Sequence, residues 1–550
     1  MPIRLKNLVW YCPIILLLSF LFFCSKEIGP AETARSGGTY RIPVTADITS
    51  LDPTSGQLHS WSIGGQIYEG LVTYSRDETI LIPLLAERYT VDDLALTFYL
   101  RKGITFHDDP CFPDGKGREL TAADVKYSIE RSYDPVRLGK GVDPGSATFV
   151  GFKEYLHGEA AHIEGLKALD KYTFVIELAQ PDPGLLSGLA GQGGFILPKE
   201  AVEFYGPDFK WHPVGTGPFR FAEIIPNEKL ILVMNVNYWA HEGKLRLPYL
   251  DAVEYVLYAP DESEKMFLDF QTRKIDECTE EVARYLTDLV ELDRLGGITF
   301  KGWLKTEGVQ LLKDKLFRKL RYLEITEKNK KVRQAMCYAL NRKRMVENQE
   351  NIFQVYEIAK GPVPSSALYF NEALEGQNYD PDRARRLLQE AGFPNGQGLA
   401  EYPFISLPSP DADFIVADLE AVGFKIKKMA PFPGWRDWLE QGKPLLVRMM
   451  SIATSPEVYD HLYGVPQAEC LVDTLYIRIF KECHKNQENY RNKHLLNRLE
   501  EILVELAPEA FLYHIDGEIR FLQREVRGRQ LGNAWGHKLH YVWFEHEIHK

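Results

Sequence analysis

Between Thr39 and Leu506 the chain switches repeatedly between two hydrophobic periods, and that alternation most restricts its fold. Runs rich in β-branched and aromatic residues read as strands at Thr39–Val44, Ile67–Tyr74, Leu94–Leu100, Leu230–Met234 and Val253–Tyr258. Helical runs stand between them. Thr121-Ala122-Ala123-Asp124 carries capping-box spacing ahead of Val125–Ser132, because a threonine hydroxyl and an acid three residues on each satisfy a free backbone N–H. Asp380-Pro381 opens another helix, with proline where a missing N–H is harmless, and Gly392 closes it. Lys331–Glu347 and Tyr490–Leu506 read as longer amphipathic helices. No repeat recurs at a period of roughly 20–50 residues and no heptad run appears, which excludes repeat arrays and coiled coils. A hydrophobic share of 45% with 26% charge excludes disorder, a collagen-like fibre and a polytopic membrane protein. At 550 residues the chain is too long for one core, so the expectation is a mixed α/β protein with more than one lobe.

The first residues carry an address. Arg4 and Lys6 precede Leu8–Cys24, a run without a charge that is short for a membrane span and has the layout of a secretory signal peptide. Leu21-Phe22-Phe23-Cys24 resembles a bacterial lipobox, whose cysteine is acylated and becomes the first mature residue; Phe23 stands where a small residue is usual. A lipid on Cys24 is the expectation, with an uncleaved anchor and simple secretion as alternatives. All three place the bulk of the protein outside the cytoplasmic membrane, in the periplasm or at the cell surface. Acidic residues outnumber basic ones 77 to 65 with no basic block, a poor match for a polyphosphate backbone, so no nucleic acid is expected as a partner. With Cys12 lost in the signal and Cys24 lipidated, Cys111, Cys278, Cys337, Cys470 and Cys483 remain, without a C-x-x-C. An odd number leaves one bridge possible in an oxidising compartment, its partners unspecified.

Motifs for chemistry are missing. There is no phosphate loop, no GxGxxG after a strand, no GxSxG and no HExxH. His107, Asp108, Asp109 and Cys111 cluster, but they run into a Pro/Gly-rich loop where turn formation and solvation account for them. His537, His540, His546 and His549 sit on and around an expected strand, Tyr541–Glu547, whose alternation would split them between faces, with His546 and His549 pointing in opposite directions. Neither group is expected to hold a metal, and no cofactor or catalytic residue is assigned.

The ordered motifs say more than any single residue. Gly37-Gly38-Thr39-Tyr40-Arg41, Ser50-Leu51-Asp52-Pro53 and Ile67-Tyr68-Glu69-Gly70-Leu71-Val72 come first, then Pro83-Leu84-Leu85-Ala86-Glu87. Phe98-Tyr99-Leu100-Arg101-Lys102-Gly103-Ile104-Thr105-Phe106-His107-Asp108 and Leu120-Thr121-Ala122-Ala123-Asp124-Val125-Lys126-Tyr127-Ser128 follow. Pro213-Val214-Gly215-Thr216-Gly217-Pro218-Phe219, Asn237-Tyr238-Trp239, Val332-Arg333-Gln334-Ala335-Met336 and Ala339-Leu340-Asn341-Arg342 continue the series, which ends with Tyr379-Asp380-Pro381 through Pro394. In this order, over roughly residues 37–530, the set resembles the bacterial extracellular solute-binding proteins of family 5, the peptide-, dipeptide- and nickel-binding subunits of ABC importers.

The resemblance implies a two-lobed α/β periplasmic-binding-protein fold of class II type, with an additional inserted domain and a hinge between the lobes. It maps as a signal peptide over 1–23, a lipidated tether over 24–37, lobe I over 38–66, 200–305 and 515–550, the inserted domain over 67–199 and the opposing lobe over 306–514. The implied function is capture of a short peptide or similar small solute by a monomer that is not an enzyme. ABC permease and ATPase subunits would be separate chains, and the lipid would hold the protein at a membrane. The other reading is a lipid-anchored surface or sensor protein with the same fold and a degenerate ligand site. Within the family, the Glu of the EGL motif comes close to peptide, which makes Glu69 a candidate. A second contact region stands here as Arg448 to Pro456, with Ser451 in place of a Trp and Thr454 in place of the Asp that anchors a peptide amino terminus. Arg448 and Thr454 complete the candidate ligand residues, with pairing to an acidic neighbour as the other reading of Arg448. The motifs themselves read mainly as scaffold: Gly215 and Gly217 for unusual backbone angles, Phe106 as a strand anchor.

Overall fold

A computed structural model of the chain describes residues 36–545 apart from 46–47, 56–58, 76–80, 93, 135–147, 181, 183–184, 280–281, 293–297, 314–317, 350–355, 366–369, 407–408, 430–446, 455–473, 484–491, 517–518 and 530–537. The signal segment, Cys24, Cys470, His537, His546 and His549 lie outside the described residues.

Thr39–Val44 forms a strand with Tyr40 and Ile42 turned inward. It pairs in parallel with Ala252–Leu257, and antiparallel pairings add Lys229–Met234 and Phe219–Ile225. A second, antiparallel sheet runs in the order Ala86–Asp92, Ala95–Leu100, Thr173–Glu177, Leu166–Ala168. Its inward residues Leu96, Phe98, Phe174 and Ile176 share one continuous core with Tyr40, Leu232 and Leu539. Each such side chain contributes roughly 1.5–3 kcal/mol by leaving water.

A six-stranded sheet follows the order Tyr356–Ile358, Glu509–Asp516, Arg318–Ile325, Val447–Thr454, Glu401–Ile405, Lys425–Met429. Glu401–Ile405 is parallel to both neighbours and the other pairings are antiparallel. Period-two alternation sends Leu320 and Tyr322 to one face and Leu323 and Ile325 to the other. Helices Lys330–Ala339, Pro381–Glu390 and Pro410–Ala421 cover the Leu323 face, and Thr474–Cys483 and Lys493–Leu506 cover the Leu320 face.

A three-stranded sheet of Glu277–Thr279, Ile519–Leu522 and Gln310–Lys313 adjoins it in sequence. The chain passes between this sheet and the six-stranded one twice, from Lys313 to Arg318 and from Asp516 to Ile519. Lys313 pairs with Ile519 and Arg318 with Asp516, so the two crossings start and end on paired residues. In the three-stranded sheet Glu277, fully buried, accepts hydrogen bonds from Tyr40 Oη (2.6 Å) and from Arg529 Nε (2.7 Å) and Nη2 (3.1 Å), with Arg520 Nη1 at 3.8 Å. Burial alone would raise its pKa, but the two arginines bring it down to about 2.

Local signals translate directly where they are strong. The capping box at Thr121 is present, and helix Ala122–Ser132 follows. Asp380 accepts from the Arg383 N–H at 2.8 Å, and its helix ends at Glu390 ahead of Gly392, which has φ 89°. Three expectations are corrected. The Lys331–Glu347 run is two helices, Lys330–Ala339 and Arg342–Glu347, because Asn341 leaves helical backbone and its side chain caps the second through Arg344 N (3.1 Å). The Ile67–Tyr74 run divides into the end of helix His59–Ile67 and a short strand, Val72–Tyr74; between them a Cβ on Gly70 would lie 2.8 Å from the Leu189 carbonyl. Of Tyr541–Glu547, only Trp543–Phe544 is strand among the described residues, after a 3₁₀ turn at Leu539–Tyr541. Cys111, Cys278 and Cys337 stand as thiols outside any disulfide, the last two buried.

Candidate ligand site

Glu69 lies two residues beyond helix His59–Ile67 and is buried. Its Oε1 accepts from Tyr238 Oη (2.9 Å), and its Oε2 from Thr216 Oγ1 (2.8 Å) and Trp239 Nε1 (3.1 Å). Three sequence motifs therefore meet on one carboxylate. Burial raises its pKa to about 7, against the pull of the Trp239, Thr216 and Tyr238 hydrogen bonds and the Arg101 charge. Arg101 itself lies over the Trp239 ring at 5.2 Å. As placed, this carboxylate is committed to its own surroundings.

His107 closes the same knot. Its Nε2 lies 2.9 Å from the Gly217 carbonyl and its Nδ1 accepts from Gly215 N at 3.4 Å, so the neutral ring with its proton on Nε2 satisfies both. Burial lowers its pKa to about 4, in keeping with that neutral form. The other members of the sequence cluster turn elsewhere: Asp108 to Lys116 and the Gly117 N–H, Asp109 to Tyr205 Oη and the Cys111 N–H. Among the described residues no three such side chains converge on a metal position.

The glycines of this knot work by closeness. Neither Gly215 nor Gly217 has positive φ. A Cβ on Gly215 would sit 2.1 Å from the Ile67 carbonyl, and one on Gly217 2.5 Å from that of Gln66. The expected unusual backbone angles give way to direct backbone packing on a helix end. Nearby, Arg131 forks onto Asp52 at 2.8 and 2.7 Å, tying Ser50-Leu51-Asp52-Pro53 to helix Ala122–Ser132.

Arg448 and Thr454 stand in a different part of the fold, on strand Val447–Thr454. This strand pairs with Arg318–Ile325 along its whole length, but with Glu401–Ile405 only at Val447 and Arg448. From Met449 to Thr454 its second edge has no strand partner among the described residues. Such an edge offers backbone N–H and C=O groups to an extended chain. In register, Arg448 is opposite Glu324, Ser451 opposite Arg321, and Thr454 opposite Arg318 at the crossing.

Sequence reading missed the polar chain on the Leu323 face. Tyr513 Oη donates to Asp411 Oδ2, Gln349 Nε2 donates to Asp411 Oδ1 at 3.1 Å, and Arg321 lies against the Tyr513 hydroxyl. These four residues come from four separate segments, so no local spacing points to them.

The model of the bacterial extracellular solute-binding proteins, family 5 Middle, matches residues 81–465. Heme-binding protein A of Haemophilus influenzae is 29% identical over 403 residues, covering 69% of this chain and 66% of that one. Glutathione-binding protein GsiB of Pectobacterium atrosepticum is 28% identical over 421 residues, covering 73% and 71%. The chain thus spans about two thirds of the length of these curated relatives. The ABC transporter-associated periplasmic binding protein DppA of Helicobacter pylori, solved with the peptide STSA, superposes with TM-score 0.70 at 23% identity over 94% of this chain and 100% of its own. That likeness gives the two-lobed α/β fold of class II periplasmic binding proteins. With the family model covering most of its length, the chain belongs to the bacterial extracellular solute-binding proteins of family 5.

Proposed function

We propose that this protein captures a short peptide or similar small solute outside the cytoplasmic membrane and delivers it to a separate ABC permease. The open edge of Met449–Thr454 beside the double crossing carries this reading. An extended backbone can add to that edge, while the paired crossings give the lobes a hinge to close about. A solute touching both lobes favours the closed population, which the permease would then recognise. On this reading, lobe I (38–66, 200–305 and 515–550, with 67–199 inserted) faces the 306–514 lobe across the crossings. Arg448 and Thr454 mark the two ends of the binding strand, and Glu69 shapes the opposite wall. The names of the relatives support the same class of ligand: one is a glutathione-binding protein, and another was solved with a bound peptide. A lipid on Cys24 would keep the protein at the membrane.

Native mass spectrometry of the purified protein should find a bound solute, and small-angle scattering should show compaction when it is added back to stripped protein. Radiolabelled fatty acid should enter the wild-type chain and not Cys24→Ser. Thr454, where the family carries an aspartate, favours the second reading of a surface or sensor protein with a degenerate site. Protein that carries no solute, and does not compact with any member of a peptide library, would decide for that reading.

A further inference from the structure

On the Leu323 face of the six-stranded sheet stands a cation without a counter-charge on its own strand surface. Arg321 is partly exposed, and its Nε is buried with no hydrogen-bond acceptor among the described residues. A buried guanidinium N–H left open in this way is uncommon and calls for an acceptor. Its lateral partners are Ser451 on one side and Tyr513 on the other. Neither of these is acidic. The acid on this face, Asp411, is buried and already accepts from Tyr513 and Gln349. The hydrogen-bond chain through Tyr513 therefore orients Arg321 without using up its donors.

Ser451 takes the position where the resemblance has tryptophan, so the residue directly across from Arg321 is small. Thr454, three residues on, has no charge to hold an ammonium group. The strand that lacks the amine anchor thus lies beside Arg321.

We propose that Arg321 anchors a carboxylate of the captured solute, so that this protein selects its ligand by an acid group and not by a free amine. This rests on the capture reading above. A planar guanidinium with several donors matches a carboxylate oxygen pair, an interaction roughly twice as strong as a neutral hydrogen bond.

The test uses the purified full chain and calorimetric titration with di- and tripeptides, each as free acid, as C-terminal amide and as N-acetyl derivative. Wild type should bind free acids at least tenfold more tightly than amides and tolerate acetylation. Arg321→Gln should abolish the acid–amide difference, and Arg321→Lys should retain part of it. Should these variants fail to fold, phenylglyoxal modification of wild type followed by peptide mass mapping keeps the test open: free acids should protect Arg321 and amides should not. Equal binding of acids and amides, or an acid preference that survives Arg321→Gln, overturns the anchor while leaving capture in place. No binding of any form overturns both. Tight binding that collapses on acetylation shows an amine anchor and overturns the proposal.

Discussion

Glu324 stands directly opposite Arg448 across the antiparallel pair of strands, and Glu509 stands opposite Glu324 on its other side. Two acids side by side repel, and an arginine in the same cross-strand row offsets them. Arg448→Ala should therefore cost about 0.5–1 kcal/mol in urea denaturation and leave solute affinity unchanged. Lost affinity at unchanged stability would give Arg448 to the ligand instead.

Glu69 should behave as a structural acid with a pH signature. Its folded pKa of about 7 lies above the ordinary 4.5, so the native state binds more protons than the unfolded one in that window. Its contribution to stability therefore falls as pH rises from 4.5 to 7 and is flat above. Glu69→Gln should remove that slope, seen as a variant-minus-wild-type difference that grows across the window. Glu69→Ala, which orphans three donors, should cost about 2–4 kcal/mol.

Glu277 should show the opposite sign. Its folded pKa of about 2 lies below the ordinary 4.5, so its stabilisation is present above pH 4.5 and is lost as pH falls toward 2. At neutral pH, Glu277→Gln leaves Arg529 and Arg520 buried without their carboxylate and should cost about 3–5 kcal/mol by chemical denaturation. In the variant, the acid limb between pH 4.5 and 2 should flatten.

Gly217→Ala should fail at the level of folding. With the new Cβ 2.5 Å from one carbonyl and 2.6 Å from the next, backbone must move. Gly103→Ala makes the control, since no heavy atom lies within 4 Å of its Cβ position although its φ is positive. Soluble yield and thermal midpoint should drop far more for Gly217→Ala.

What the sequence made legible was local. Thr121 with Asp124, and Asp380 with Pro381, announce helices because each cap needs only neighbours within one turn. Asn341 escaped because it sits inside an apolar period that continues across it, and only its backbone turn reveals a cap. The motif around Glu69 was visible, but not that Thr216, Tyr238 and Trp239 would converge on its carboxylate. The role of Gly217 depends on a helix end far away in sequence, and Arg321 meets Tyr513 only through sheet pairing. Long-range register cannot be read from period or composition.

The double crossing also sets an order of assembly. All six strands of the large sheet lie between Arg318 and Asp516, so that body is a single stretch of chain and can close by itself. The first body cannot. Arg529 reaches Glu277 across 252 positions, and Leu522, Val526, Leu539 and Val542 complete a core begun at Tyr40. Contacts of that separation form late, because a long loop must first be closed. A chain made N-terminus first can pair Thr39–Val44 with Ala252–Leu257 early, yet the share of that core carried by Leu522, Val526, Leu539 and Val542 is added only after the whole six-stranded body has been made.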